Sequence, residues 1–120
     1  MSTLTVTNIK ATGETASRAV SGVAAAWVGL YQGSIQDSTN IASITDNGTG
    51  DYTSNFTNAM SNATYAFSNC FFFEETGGSY GYISQNAVRA TGSIRNYGRR
   101  NTSGTLSDSE GCVTIHGDLA

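Results

Sequence analysis

One segment constrains the fold of this chain more than any other. Residues 40–45 (NIASIT) and 52–57 (YTSNFT) alternate apolar and polar side chains, and they flank Asp46-Asn47-Gly48-Thr49-Gly50-Asp51. Alternation with a period of two places successive side chains on opposite faces of a strand. Asn and Gly tolerate positive φ, so an Asn-Gly step between two such runs predicts a β-hairpin, with Asp46, Asn47, Gly48 and Gly50 in its turn. A chain built round this unit must find further strands to pair with it, because an isolated hairpin is only marginally stable.

Those strands are predicted on both sides. Residues 23–31 (VAAAWVGLY) combine small Ala residues with one Trp and suit a central strand approached from both faces; Trp27 is assigned to the core, with a sugar-stacking platform as the alternative. Residues 34–38 continue as a short strand or turn. Residues 64–74 (TYAFSNCFFFE) place Tyr65, Phe67, Phe71 and Phe73 in phase on one face, and Thr76-Gly77-Gly78-Ser79 turns the chain into SYGYIS. Residues 87–94 (AVRATGSI) and 112–116 (CVTIH) read as further strands, separated by a long polar loop (NYGRRNTSGTLSDSEG). No heptads, amphipathic helix of useful length or internal repeat are evident. The prediction is an all-β fold, an antiparallel sandwich or barrel of about seven to eight strands.

The N-terminal region reads differently. Residues 4–9 (LTVTNI) form a strand pattern, with Leu4, Val6 and Ile9 available to dock on a partner. The small, Gly-punctuated KATGETASRAVSG follows as a linker in which ETASRAV could make a helical turn. Residues 1–22 are therefore taken as an arm and residues 23–120 as the body. A simple edge strand is the alternative for residues 4–9.

Composition narrows the function. Only 12% of the 120 residues are charged, 38% are hydrophobic, and Ser, Thr, Asn and 14 Gly fill the difference. Weak charge repulsion and a thin core favour association with identical neighbours, so a homo-oligomer is expected. A net charge of −3 argues against nucleic-acid binding, which needs a basic footprint. The polar N-terminus has no apolar core of a signal peptide, and no stretch is long enough to insert in a membrane. The Asn-x-Ser/Thr triplets at Asn47, Asn55, Asn62 and Asn101 then follow from composition and not from glycosylation.

No catalytic, cofactor or metal motif is present. The single His116 has no partner motif and reads as a strand-end or interface residue. Glu74 and Glu75 are adjacent, so on a strand their side chains diverge; the Asp46–Asp51 loop lacks the ligand series of a calcium loop. Cys70 and Cys112 both lie in strand patterns and read as buried free thiols, with a disulfide between neighbouring strands as the alternative. The one cluster of interest is Arg95, Tyr97, Arg99 and Arg100, with Arg89 upstream. On a loop it would serve as an anion or glycan contact, since Arg forks bind carboxylate and phosphate and Tyr stacks on sugars. It could equally be a solvated loop, or pair across a subunit interface with the acidic residues 108–110.

The densest pattern in the chain is Ala26-Trp27-Val28, Asp37-Ser38, Asn40 through Thr53, Asn55-Phe56-Thr57, Ala59-Met60 and Tyr65. It resembles a β module of tail-fibre and other virion proteins of tailed bacteriophages, and the N-terminal STLTVTNIKATGETASRAVSG and closing HGDLA resemble the ends of such proteins. The resemblance spans residues 23–67 and both ends; residues 69–112 match nothing in it. It implies a virion component assembled in the host cytoplasm alongside other virion proteins. Such components are commonly trimeric and often sit at the distal end of a fibre, where host surface glycans are the partner. A capsid decoration protein attached through residues 1–22 and a free carbohydrate-binding module are the alternatives.

Overall fold

Eight strands form two antiparallel four-stranded sheets packed face to face, a β-sandwich and not a closed barrel. The computed structural model describes residues 2–9, 18–19, 24–72, 82–100, 103–108 and 110–120. In chain order the strands are β1 (Asn8–Ile9), β2 (Arg18–Ala19), β3 (Ala26–Tyr31), β4 (Ser34–Thr39), β5 (Ile41–Gly48), β6 (Asp51–Phe56), β7 (Ala66–Phe72), β8 (Tyr82–Ala90), β9 (Ser93–Arg100) and β10 (Glu110–His116). One sheet has the order β4-β3-β10-β7 and the other β5-β6-β9-β8; β1 and β2 form a separate two-stranded ladder. Among the described residues no helix is long and apolar enough to cross a membrane.

Alternation decides which side chains meet between the sheets. Ala26, Val28 and Leu30 on β3 point inward with Val113 and Ile115 on β10, and they meet Phe56 on β6 and Ile94 on β9. Met60 and Tyr65, from the connection between β6 and β7, close the same core, and the Phe56 and Tyr65 rings meet edge to face. Each fully buried aliphatic side chain contributes about 1.5–3 kcal/mol. The interior is not wholly apolar: Tyr52, Ser54 and Asn96 are buried too, and Asn69 Nδ2 donates to Asn96 Oδ1 at 3.0 Å. β3 is an inner strand, as its small residues predict, but Trp27 points to the outer face and is half-buried. Its neighbours Ala26 and Val28 take the core positions, so one step of the pleat excludes Trp27 from it.

The β5–β6 hairpin forms where expected, with one adjustment. Its two-residue apex is Thr49-Gly50, while Asn47-Gly48 lies at the end of β5 and is accommodated by a bulge between Asp46 and Gly48. Gly48 (φ 126°) and Gly50 (φ 64°) take the positive φ values that the turn requires. Asp46 Oδ1 accepts from the Gly48 amide at 2.8 Å, an Asx-type contact that fixes the bulge.

Three further expectations are corrected. The strand predicted over residues 87–94 is two strands, because Thr91-Gly92 turns β8 into β9. The cluster from Arg95 to Arg100 therefore lies on β9 and not in a loop. Of the N-terminal pattern only Asn8–Ile9 pairs, with Arg18–Ala19, so residues 18–19 are strand and not helical turn, and residues 2–6 carry no ladder. The Thr76–Ser79 turn and Phe73 lie outside the described residues, as do Glu74 and Glu75.

Candidate binding face

The outward side chains of β5, β6 and β9 make one polar surface. Ser43 and Thr45 stand opposite Asn55 and Thr53, and these stand opposite Ser93 and Arg95. Asn55 Nδ2 donates to Thr45 Oγ1 at 2.9 Å and to Ser43 Oγ at 3.1 Å; Asn47 Nδ2 donates to Thr53 Oγ1 at 2.9 Å. These side-chain ladders hold hydroxyls and amides in a fixed array.

Asp51 anchors one end of the array. Its carboxylate accepts from Arg95 Nε at 2.8 Å and from Arg95 Nη2 at 2.6 Å, a bidentate fork, with Asn47 Nδ2 at 3.4 Å. The Arg95 hydrogen bonds hold the Asp51 carboxyl below the usual carboxylate range, against the opposing effect of desolvation. The Arg95 guanidinium also lies over the Tyr97 ring, 5.3 Å from its centroid. Sequence reading placed Arg95 and Tyr97 together but not Asp51, which enters only through the β6–β9 register.

The remaining cluster residues separate. Arg99 Nη1 donates to the Gly104 carbonyl at 2.9 Å, and Arg99 forms an isolated bridge with Leu106, so it pins the following loop. Arg89 Nη1 donates to the Tyr65 carbonyl at 2.9 Å and sits 5.8 Å from the Phe67 centroid. Arg100 belongs to β9, but its side chain lies outside the described residues. Asp108 takes an intrachain role: Oδ1 accepts from the Gly50 amide at 2.8 Å and from the Tyr52 hydroxyl at 2.7 Å. Burial, aided by the Asp108 carboxylate, raises the Tyr52 phenol pKa above its ordinary value. The hairpin apex, β9 and the 103–108 segment thus form one clamp, extended by Gly98 N to Gly50 O (2.8 Å) and Ser107 N to Gly98 O (3.0 Å).

His116 is the last residue of β10 and lines a cleft of about 230 Å³ with Ser61, Asn62, Thr64, Tyr65 and Asp118. The C-terminal residues are held to the β6–β7 connection by Ser61 N to Asp118 O (2.8 Å) and Ala120 N to Ala59 O (2.9 Å). Of the candidate docking strand, Leu4 is 84% and Val6 42% exposed; the Ile9 side chain lies outside the described residues. Among the described residues there is no group of three or more His, Cys, Asp or Glu placed to hold a metal ion.

Comparison with protein-family models, with curated proteins and with solved structures finds no match to this chain.

Proposed function

We propose that this chain is a non-catalytic structural protein of a tailed-bacteriophage particle, a homotrimeric tail-fibre or tail-tip component that contacts the host surface. The observation that carries the reading is the β5–β6–β9 face, where an ordered array of hydroxyls and amides runs up to the Asp51–Arg95–Tyr97 group. Such a surface offers hydrogen bonds to sugar hydroxyls and, at the half-buried Tyr97, an aromatic contact beside the Arg95 guanidinium that lies over its ring. Arg95 is already neutralised by Asp51, so the face suits a neutral glycan better than an anionic one. The resemblance over residues 23–67 supports the assignment to phage particles. The test is binding of the purified chain to host envelope glycans: Tyr97→Ala should abolish binding while leaving the thermal transition in place. A wild-type chain that binds no envelope glycan would refute the host-contact role.

The exposed arm favours a second reading, a capsid decoration protein. An extended segment with Leu4 and Val6 in solvent can add as a strand to a neighbour's sheet. Deleting residues 4–9 would then abolish attachment to capsids and leave the body folded; undiminished attachment would remove this reading. A free carbohydrate-binding module would instead use the outward Trp27, and its fluorescence would be quenched by oligosaccharide.

A further inference from the structure

Cys70 and Cys112 are direct partners in the β7–β10 register, and both are free and exposed, contrary to the expectation of buried thiols. The reason is the pleat: Phe71 and Val113 take the inward positions, so the neighbouring cysteines point out together. On the far side of Cys112 the register partner on β3 is Gly29, which has no side chain to cover the sulfur. Directly opposed antiparallel residues have Cα atoms about 4.5–5.5 Å apart, within the span of a disulfide. Partial desolvation, with the adjacent Cys70, raises the Cys112 pKa.

We propose that Cys70 and Cys112 are a redox pair that closes to an intramolecular cross-strand disulfide by exchange with a small-molecule disulfide such as oxidised glutathione. The Cys70 thiolate attacks one sulfur of the oxidant, forming a mixed disulfide and releasing one glutathione thiolate, which takes up the proton Cys70 lost. Cys112 then loses its proton and attacks the Cys70 sulfur, and the second glutathione leaves and is protonated. Two protein thiols are oxidised to one disulfide, and one glutathione disulfide is reduced to two thiols. With no described cation at the pair to stabilise a thiolate, the dithiol survives where reductant is plentiful and closes slowly in an oxidising medium. The bridge ties β10, an inner strand, to the edge strand β7 and encloses residues 71–111, including β8 and β9. The inference is independent of the glycan-binding face.

The experiment incubates the purified, reduced chain with oxidised glutathione and follows intact mass, thiol titre and thermal unfolding. Expected are the loss of two hydrogens without a retained glutathione, a monomer on a non-reducing gel, and a rise in Tm of about 10 °C reversed by dithiothreitol. Because both side chains are exposed, Cys70→Ser and Cys112→Ser should fold, each retaining one glutathione with no rise in Tm. Persistent glutathione adducts on the wild type, intermolecular dimers, or two thiols that still titrate would overturn the proposal. So would the same rise in Tm in either serine variant.

Discussion

Replacing Gly50 by Ala tests the clamp that joins the hairpin apex to β9 and the 103–108 segment. Gly50 has φ 64°, where an L-residue is disfavoured by about 1–2 kcal/mol. An added Cβ would lie 2.6 Å from Ser107 N, 2.7 Å from Gly98 O and 2.7 Å from Ser107 O, all backbone atoms that cannot rotate aside. Relief requires the two segments to part, breaking Gly98 N to Gly50 O and Ser107 N to Gly98 O, at about 1 kcal/mol each. The expected loss is therefore about 3–4 kcal/mol. Gly104→Ala supplies the control: its φ of 67° imposes the same backbone cost, but nothing lies within 4 Å of the new Cβ, so the loss is about 1–2 kcal/mol. Urea unfolding followed by Trp27 fluorescence measures both, provided the m-values match the wild type. Equal losses for the two variants, within about 0.5 kcal/mol, would show that the segments are not packed together.

Other outcomes follow from the same contacts. Asp108→Ala strips the acceptor from the Gly50 amide and the Tyr52 hydroxyl and should cost about 2 kcal/mol in urea unfolding. Tyr65→Phe removes the hydroxyl that donates to Ser93 O at 2.9 Å, a loss of about 1 kcal/mol by the same assay. Because Asp51 has a depressed folded-state pKa, its contribution is complete above the unfolded value of about 4 and is lost as pH falls through the folded value. Tm measured down the acid limb should therefore fall less steeply in Asp51→Asn, which starts lower at neutral pH. The phenols of Tyr52 and Tyr65 are raised, mainly by burial, so their contribution is complete below about pH 10 and is lost as pH rises beyond it. Tyr52→Phe should flatten the alkaline limb of the Tm–pH curve.

Much of the sandwich was legible because its inward residues are apolar. β3 is marked by its small residues and single Trp, the β5–β6 hairpin and β7 by alternation, and β10 by its short apolar run, and each forms within a few residues of its predicted span. β9 was missed for a physical reason: its inward positions include Asn96 and Gly98, while Arg95, Tyr97 and Arg99 face out, so no apolar alternation marks it. The Thr91-Gly92 turn was hidden among small residues that also suit a strand. Of the candidate face, Arg95 and Tyr97 could be paired by their spacing of two. Asp51 and the Asn47–Thr53 ladder could not, because cross-strand register depends on the β6–β9 pairing and not on local pattern. The cysteines illustrate the same limit: Cys-Val-Thr-Ile allows either phase, and the fold selects the one that buries Val113 and Ile115.

The most direct test of the proposed role is immunogold electron microscopy of intact phage particles with an antibody against the exposed residues 103–105 and their flanks. Gold confined to the tail end is the predicted result and would make Tyr97 the first residue to mutate. Gold distributed over the head would contradict a fibre-tip position and move the decisive contact to the N-terminal arm, and particles free of label would contradict a place in the virion altogether.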